Sequence, residues 1–379
     1  MISNAMSHHQ KSLCDYLSSI DSVEFRFVAT KPLTQERQNM GYSDLNYSAD
    51  YIIRSYENDE SYNTARDLAN NSDFVIYGSA PYEFVKDRIK NNKWTFIYSE
   101  RIFKKKEDKF YNLKLFLIYY LRFGRFSNKR IKVLCASAYA AGDFHKFGFK
   151  QQQLYKWGYF PKQSETELNK LLSMKKERSI LWVARMISWK HPETVVNLAN
   201  RLKSENVPFS MTIVGNGALF DDIKSKVEQS GLSDYVTLTG ALSTLKVREL
   251  MEQSEVYVTT SDQNEGWGAV INEAMSSACA VCACKEMGSA PFLINNNANG
   301  YLFDYKDDDT LYKQVHDLLN DDNKRKSCAE NAYFTIGNKW NYKIAADRLV
   351  DICQHINDND TDYSFPEGIC SIADINTKC

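Results

Sequence analysis

The stretch that most constrains the fold is residues 256–284, VYVTTSDQNEGWGAVINEAMSSACAVCAC. An alternating apolar run that ends in polar residues predicts a strand, and the Gly-Trp-Gly at 266–268 predicts a tight turn into a helix that begins near Ala269. Glu265 lies in the loop at the carboxyl end of the strand, and Glu273 lies on the helix, about one turn from its start. Because the first N–H groups of a helix have no intrahelical partner, one patch here can hold a phosphate on the backbone and hydroxyls on the carboxylates.

The length of the chain and the alternation of its patterns predict the architecture. A chain of 379 residues is too long for one comfortable core, which predicts two domains with a cleft between them. Strand patterns alternate with helical patterns throughout, and this alternation is typical of parallel sheets covered on both faces. We therefore predict an α/β fold of two doubly wound, Rossmann-like domains. The predicted divisions are 1–165, 166–340, a helix at 341–356 that returns toward the first domain, and a polar, mobile tail at 357–379.

The composition excludes several classes of protein. With 43% hydrophobic and 25% charged residues, most of the chain is not disordered, and a net charge of −1 argues against a nucleic-acid binder that works through its overall field. There is no run of 18 apolar residues and no basic segment followed by a hydrophobic one at the amino terminus, so we expect a protein that is neither exported nor membrane-spanning. Nine scattered cysteines favour the reducing cytoplasm, and Cys279, Cys282 and Cys284 are predicted to be core thiols rather than metal ligands.

Two further loops of the second half follow predicted strands. Arg185 and Lys190 both lie in the loop after the strand at 179–184. Cations in such a loop suit a ligand with a diphosphate group, because negative charge develops on a diphosphate when its bond to a sugar breaks. Gly215 and Gly217 follow the strand at 211–214, where they indicate either a tight turn or a close approach to a ligand.

These residues together carry a resemblance to a known family. The motif E-G-W-G-x4-E at 265–273, joined to Arg185 and Lys190 some 75 to 80 residues upstream, resembles the donor motif of retaining family-four glycosyltransferases with the GT-B fold. The resemblance covers residues 179–319 strongly and the first half of the chain only through its general layout.

The resemblance implies a role for each motif residue. Arg185, Lys190 and Glu265 are the implied catalytic residues: the two cations grip the diphosphate, and Glu265 contacts hydroxyls of the donor sugar. Glu273 would accept hydrogen bonds from the ribose hydroxyls. Backbone groups would complete the donor site, those of Gly268, Ala269 and Val270 at the diphosphate and those of Leu242 at the base. The resemblance implies no metal ion and no cofactor, since the nucleotide sugar is a substrate.

Two residues of the first half are candidates for the acceptor site. His9 falls within Ser7–Gln10, predicted as the first strand-to-helix loop, and is either a capping residue or an acceptor contact. Glu100 follows the strand at 94–98, and is either part of a helix cap or an acceptor contact.

The composition shifts in the segment 101–132. Between Lys104 and Lys132 there are ten basic residues and two acidic ones, interleaved with aromatic and aliphatic side chains. Such a segment suits an anionic bilayer surface, because apolar groups enter the headgroup region while cations stay in water. A core helix with a solvated cationic face is the alternative, and RNA binding is a weaker third one.

The function predicted from these features is transfer of a sugar, expected to be a hexose, from a nucleotide diphosphate donor to a hydroxyl of a glycan acceptor. The family and the basic segment together favour a lipid-linked acceptor, bacterial surface polysaccharide synthesis (lipopolysaccharide O-antigen, capsule or exopolysaccharide), and a peripheral location on the cytoplasmic membrane. A sugar-nucleotide epimerase on the same fold, or a noncatalytic glycan-binding or membrane scaffold, is the alternative.

Overall fold

The computed structural model describes residues 1–34, 43–104 and 108–377. They fall into two compact units: residues 1–162 with the chain from 341 onward, and residues 163–340. Each unit is built on one parallel sheet, and within the described ranges helices connect most successive strands. The predicted fold class, two doubly wound α/β sheets, is thereby confirmed.

The first unit contains a seven-stranded sheet. Its strands are Ile2–Ser3 (β1), Phe27–Ala29 (β2), Ile52–Arg54 (β3), Val75–Tyr77 (β4), Thr95–Ser99 (β5), Ile131–Cys135 (β6) and Leu154–Lys156 (β7). They lie in the order β3-β2-β1-β4-β5-β6-β7, all parallel. The helices within this part of the chain are His8–Ser18 (α1), Asp59–Asn71 (α2), Glu83–Lys90 (α3), Lys109–Arg122 (α4) and Ala140–Lys146 (α5). Although β1 is only two residues long it is central, because Ile2 pairs with Val28 on one side and Tyr77 on the other.

The second unit contains a six-stranded sheet. Its strands are Lys176–Val183 (β8), Ser210–Val214 (β9), Val236–Gly240 (β10), Ser254–Thr259 (β11), Ala280–Cys284 (β12) and Tyr301–Phe303 (β13). Its helices are Leu168–Met174 (α6), Pro192–Ser204 (α7), Phe220–Gln229 (α8), Thr244–Gln253 (α9), Val270–Ser276 (α10), Ala290–Leu293 (α11), Asp308–Asn320 (α12) and Asp322–Asn338 (α13). The parallel order β10-β9-β8-β11-β12-β13 reverses between β8 and β11, and in doubly wound sheets ligands bind outside the carboxyl ends of the strands at such a reversal.

The interior of the second sheet explains the cysteine-rich sequence. All five residues of β12 are buried, as expected of a parallel strand covered on both faces. Cys279, Cys282 and Cys284 have no exposed surface, so the prediction of core thiols is confirmed.

Three expectations about the first unit differ from the structure. The strands β3 and β7 were not predicted, because three residues are too few to show a period in the sequence. The apolar pattern of residues 133–136 predicts the last strand of the first domain, but the structure adds one more strand, β7, after it. The pattern of residues 23–30 predicts a full strand, but only β2, three residues long, forms there.

The carboxyl-terminal part of the chain belongs to the first unit. Helix α14, Tyr342–Asn357, packs against α1. The expectation of a mobile tail after residue 357 is wrong, because Ile369, Cys370 and Ala373 are buried. Their neighbour Ile372 pairs in antiparallel fashion with Tyr155 of β7.

Candidate functional site

The reversal between β8 and β11 brings the predicted donor residues together. Arg185 and Lys190 lie in the loop after β8, and Glu265 lies in the loop after β11. Neighbouring parallel strands end at the same edge of a sheet, so these loops lie side by side. We call residues 185–191 the cation loop and residues 260–268 the carboxylate loop.

A direct ion pair joins the two loops. Nζ of Lys190 donates a hydrogen bond to Oε2 of Glu265, and the side chains are only 12% and 16% exposed. Partial burial strengthens such a pair relative to a solvated one because the surroundings screen it less. The structure therefore places a lysine and a carboxylate, 75 residues apart in sequence, at one point of the sheet edge.

The backbone of the cation loop is tied to the carboxylate loop as well. The hydroxyl of Thr260 donates to the carbonyl of Lys190 over 2.6 Å and accepts from the indole N–H of Trp182 over 2.9 Å. The N–H of Asp262 donates to the carbonyl of Trp189 over 3.1 Å. The buried residues Trp182, Thr260 and Asp262 therefore hold the backbone of Lys190 in place.

Arg185 lies on the exposed side of the same loop. Its guanidinium carbon is 5.8 Å from the ring centroid of Trp189, and Nζ of Lys190 is 4.4 Å from that centroid. Both cations are thus held near one indole, which attracts cations through the negative face of its ring.

Lys190 is followed by a histidine that the sequence did not single out as functional. Nε2 of His191 lies 3.1 Å from Oδ2 of Asp262, and Nδ1 lies 3.0 Å from Oε1 of Glu193. The hydrogen bonds to Asp262 and then to Glu193 raise the pKa of His191 to about 9, against burial, so the imidazole is charged at neutral pH. Burial of Asp262 and Glu193 acts to raise the pKa of each carboxyl, but the hydrogen bond with His191, together with backbone hydrogen bonds and the positive charge of His191, lowers both pKa values.

The turn that follows Glu265 requires its second glycine. Gly268 has φ +87°, and a Cβ there would overlap Cε of Met287. Trp267 beside it is fully buried and donates from its indole N–H to Asn272 over 2.9 Å, which fixes the entry into α10. Ala269 precedes that helix, which begins at Val270.

Glu273 is the fourth residue of α10 and is half-buried. Burial raises the pKa of its carboxyl, and the positive charge of Arg248 opposes that shift. Arg248 also donates to the carbonyl of Glu273 over 3.3 Å and to the hydroxyl of Ser276 over 2.9 Å. Arg248 is a contact that sequence reasoning missed, and its distance of 25 residues from Glu273 gave no local indication of it.

The glycines after β9 have a structural explanation. Gly215 has φ +140°, and a Cβ there would overlap the carbonyl oxygen of Ala184. Gly217 has φ +153° and lies against the backbone of Met186. These close approaches require glycine at both positions, and contact of the same turn with a ligand stays a prediction. Leu242, the candidate at the base, is half-buried in the loop after β10.

The two acceptor candidates of the first unit meet through a residue that the sequence did not indicate. We expected His9 in a loop, but it lies in the first turn of α1. The preceding strand is short and ends at Ser3, so the helix begins earlier than predicted. The ring of Tyr159 stacks on that of His9 with centroids 5.5 Å apart, and its hydroxyl donates to Oε1 of Glu100 over 2.6 Å. Lys104 donates to the other oxygen of Glu100 over 2.8 Å.

The basic segment 101–132 is described except for residues 105–107. Its helix α4 has apolar side chains both on the face that packs on the unit and on the face that is exposed to solvent. Phe116 and Tyr119 pack toward the unit, with ring centroids 5.4 Å and 5.7 Å from that of Phe147. The outward side chains form an apolar stripe at helical spacing: Phe110, Leu113, Leu117 and Leu121 are 88%, 57%, 51% and 53% exposed. The outer face of α4 is thus apolar as well as cationic, and binding of this segment to a membrane stays a prediction.

No helix within the described ranges combines the length and the apolar character needed to cross a bilayer.

Comparison with protein families identifies the second unit. Residues 163–334 match the model of the family described as Glycosyl transferases group 1. A GDP-mannose-dependent alpha-(1-6)-phosphatidylinositol monomannoside mannosyltransferase from Mycobacterium tuberculosis is 22% identical over 194 residues, 50% of this chain and 50% of that protein. An N-acetylgalactosamine-N,N'-diacetylbacillosaminyl-diphospho-undecaprenol 4-alpha-N-acetylgalactosaminyltransferase from Campylobacter jejuni is 25% identical over 174 residues, 46% of each chain. The chain thus spans about half the length of these curated relatives.

Solved structures resemble the chain over nearly its whole length. The complex of Anabaena Alr3699/HepE with UDP has a TM-score of 0.66 at 14% identity and covers 94% of this chain and 98% of that one. WaaG, a glycosyltransferase involved in lipopolysaccharide biosynthesis, has a TM-score of 0.61 at 16% identity and covers 93% and 97%. At such identities the likeness shows a shared fold, and the expected GT-B fold is confirmed.

Proposed function

We propose that the chain transfers a sugar from a nucleotide diphosphate donor to a hydroxyl of a glycan acceptor, because residues 163–334 match the model of the group 1 glycosyltransferases. The observation that carries this proposal is the pairing of Lys190 with Glu265 at the reversal of the second sheet. Ligands bind at this edge of a doubly wound sheet. A cation that can contact the diphosphate and a carboxylate that can contact sugar hydroxyls both lie at this edge.

The site supplies the groups that departure of a diphosphate requires. Arg185 and Lys190 neutralise the negative charge that develops as the bond between the anomeric carbon and the phosphate oxygen breaks. Glu265 accepts hydrogen bonds from donor-sugar hydroxyls and also keeps Lys190 in place. Gly268, Ala269 and Val270 offer backbone N–H groups to the diphosphate.

The remaining donor contacts and the acceptor step follow the family resemblance. Glu273 accepts from the ribose hydroxyls and Leu242 lies at the base. The acceptor oxygen forms its bond to the anomeric carbon on the face from which the phosphate leaves, so configuration is retained. The acceptor proton passes to the departing phosphate oxygen, which balances the transfer without a separate protein base.

One solved neighbour indicates a uridine nucleotide and one curated relative a guanosine nucleotide, whereas both curated relatives indicate a lipid-borne acceptor. Anabaena Alr3699/HepE has been solved with UDP-glucose as well as with UDP. The two curated relatives carry phosphatidylinositol and diphospho-undecaprenol in their names. We propose a UDP- or GDP-sugar donor and a lipid-linked glycan acceptor for this chain, in bacterial surface polysaccharide synthesis.

The apolar stripe of α4 supports a peripheral position on a membrane. Four large side chains exposed along one helix face suit the interfacial region of a bilayer. The exposed cations Lys109, Lys114, Arg122 and Arg125 on and just after the helix suit anionic headgroups. We propose that α4 binds the anionic cytoplasmic face of the membrane, where a lipid-linked acceptor is available.

A vesicle assay tests the role of α4. The protein is expected to sediment with anionic vesicles, to be released by salt and to ignore neutral vesicles, because headgroup charge supplies part of the binding. Replacing Leu113 and Leu117 together by Asp should abolish sedimentation. The control Leu245→Asp changes a leucine of the second unit that is even more exposed, and this variant should sediment normally. Salt-sensitive binding to RNA without binding to vesicles contradicts the proposal.

A donor screen tests the activity. The protein is incubated with UDP-, GDP- and dTDP-sugars, with and without lipid-linked glycans, and released nucleoside diphosphate is measured. Release that requires an acceptor supports transfer. Conversion of one nucleotide sugar to another without an acceptor indicates an epimerase, and nucleotide binding without turnover of any donor indicates a scaffold.

A further inference from the structure

The cation loop and the carboxylate loop are joined by a second ion pair next to that of Lys190. His191 contacts Asp262 through its side chain, while the N–H of Asp262 bonds to the carbonyl of Trp189. Asp262 is thus attached to the residue before Lys190 and to the residue after it. The side chains of His191 and Asp262 are 21% and 12% exposed, so water competes only weakly for this contact.

The backbone at His191 shows that the turn itself does not need an imidazole. His191 has φ +48° and ψ 55°, the left-handed conformation, which glycine adopts without steric cost and most other residues adopt only with strain. A glycine would therefore make the same turn before Pro192, the first residue of α7. The side chain of His191 contributes something other than the turn.

Charges around the imidazole come from three directions. Glu193 faces it from the start of α7 and Asp262 from the carboxylate loop. Tyr305, after β13, stacks on it with centroids 5.3 Å apart, and Lys306 lies over the Tyr305 ring. Lys226 of α8 acts on Glu193. The two carboxylates contact the ring nitrogens directly and outweigh the burial of the ring, which keeps the imidazole charged at neutral pH.

We infer that His191 and Asp262 are positioning residues: their charged pair fastens the cation loop to the carboxylate loop and so holds Lys190 beside Glu265. Its effect on catalysis rests on the proposed function, whereas the pair itself does not. Since a small displacement of a charge-stabilising group costs much of its effect in the transition state, loss of the pair lowers turnover more than donor binding.

Replacement by glycine separates this role from a role in the turn. His191→Gly keeps the backbone conformation and removes the pair, so we expect kcat for transfer to fall about tenfold or more with the donor KM changed less than threefold. His191→Asn tolerates the same conformation and keeps one hydrogen bond without the charge, and should fall in between. His316→Gln, a half-exposed histidine on α12, is the control and should be unchanged. A glycine variant as fast as the wild type overturns the inference.

The titration of the imidazole tests the pair without any substrate. In protein labelled with nitrogen-15 at histidine, the His191 resonance should titrate near pH 9 and move toward 6.5 in Asp262→Asn. In the wild type, kcat should fall with the same midpoint on the alkaline side, and this fall should be absent in His191→Gly. A wild-type imidazole that titrates near 6.5 overturns the inference. If no donor is turned over, the proposed function fails, while this titration still decides whether the pair exists.

Discussion

Both sheets reverse their strand order beside their first strand, at β1 and β4 in the first unit and at β8 and β11 in the second. In the second unit the loops at the reversal carry opposite charges, and Lys190 meets Glu265 directly. In the first unit the candidates follow β1 and β5 and meet through the ring and hydroxyl of Tyr159. One architecture thus supports a site built from ion pairs and a site built around an aromatic residue.

The difference follows from what each unit is proposed to bind. Every nucleotide sugar presents a diphosphate and hydroxyls, so the groups that hold it are charged and regularly spaced. Glycan acceptors share no charged group, and an aromatic ring with a few hydrogen-bonding side chains suits them. A donor site can therefore be detected as a motif, whereas an acceptor site has to be found in the fold.

The largest expected effect lies in the donor unit. Lys190→Ala removes the cation at the departing phosphate and leaves Glu265 without its ion pair, and should lower kcat/KM for transfer by about 2 to 4 kcal/mol. Arg185→Ala should cost a similar amount. Steady-state release of nucleoside diphosphate measures both. The control Lys246→Ala changes an exposed lysine of α9 that pairs with Glu249. Near-normal transfer in both variants removes the assignment.

A smaller effect is expected in the acceptor unit. Tyr159→Phe keeps the ring against His9 and removes the hydrogen bond to Glu100, which should weaken acceptor use by about 1 kcal/mol. Donor KM should not change, because Tyr159 belongs to the other unit. Tyr363→Phe, which removes a hydroxyl that bonds to Asp351 in the same unit, is the control. An equal change in donor and acceptor KM contradicts the division of roles between the units.

No effect on transfer is expected when Lys132 in β6 is replaced, and the effect should appear in stability instead. Burial lowers the pKa of Lys132 to about 8, with Asp362 and Asp360 opposing. Between pH 8 and 10.5 the unfolded chain therefore binds more protons than the folded one, and the free energy of unfolding rises with pH across this interval. In Lys132→Met that part of the rise is absent.

Urea unfolding of both proteins at pH 7 and at pH 10 measures the difference. The stability of Lys132→Met relative to the wild type should be higher at pH 7 than at pH 10. If the difference in the free energy of unfolding between the two proteins is the same at both pH values, the pKa of Lys132 is not lowered in the folded state. His191 should behave in the opposite way, because its raised pKa contributes stability that is complete below pH 6.5 and lost as pH rises through about 9.

The sequence predicted the donor site further than the acceptor site for physical reasons. Arg185, Lys190 and Glu265 follow strands with clear apolar patterns, so their place at a sheet edge could be inferred, but the order of the strands could not. The contact of His191 with Asp262 spans 71 residues, and each is unremarkable alone. Tyr159 and the three-residue strand β7 lie in a region without a visible period. Long-range contacts of this kind depend on the fold as a whole.

The chain after α14 has a consequence for the behaviour of the protein in solution. β7 is the last strand of its sheet, and Leu154 and Lys156 would otherwise present unpaired backbone groups there. Residues 370–373 cover that edge through backbone bonds of 2.7 to 2.9 Å. An uncovered edge recruits strands from other molecules. By covering this edge, residues 370–373 prevent association with other molecules. A chain shortened before residue 365 should therefore associate through β7, although both candidate sites are intact.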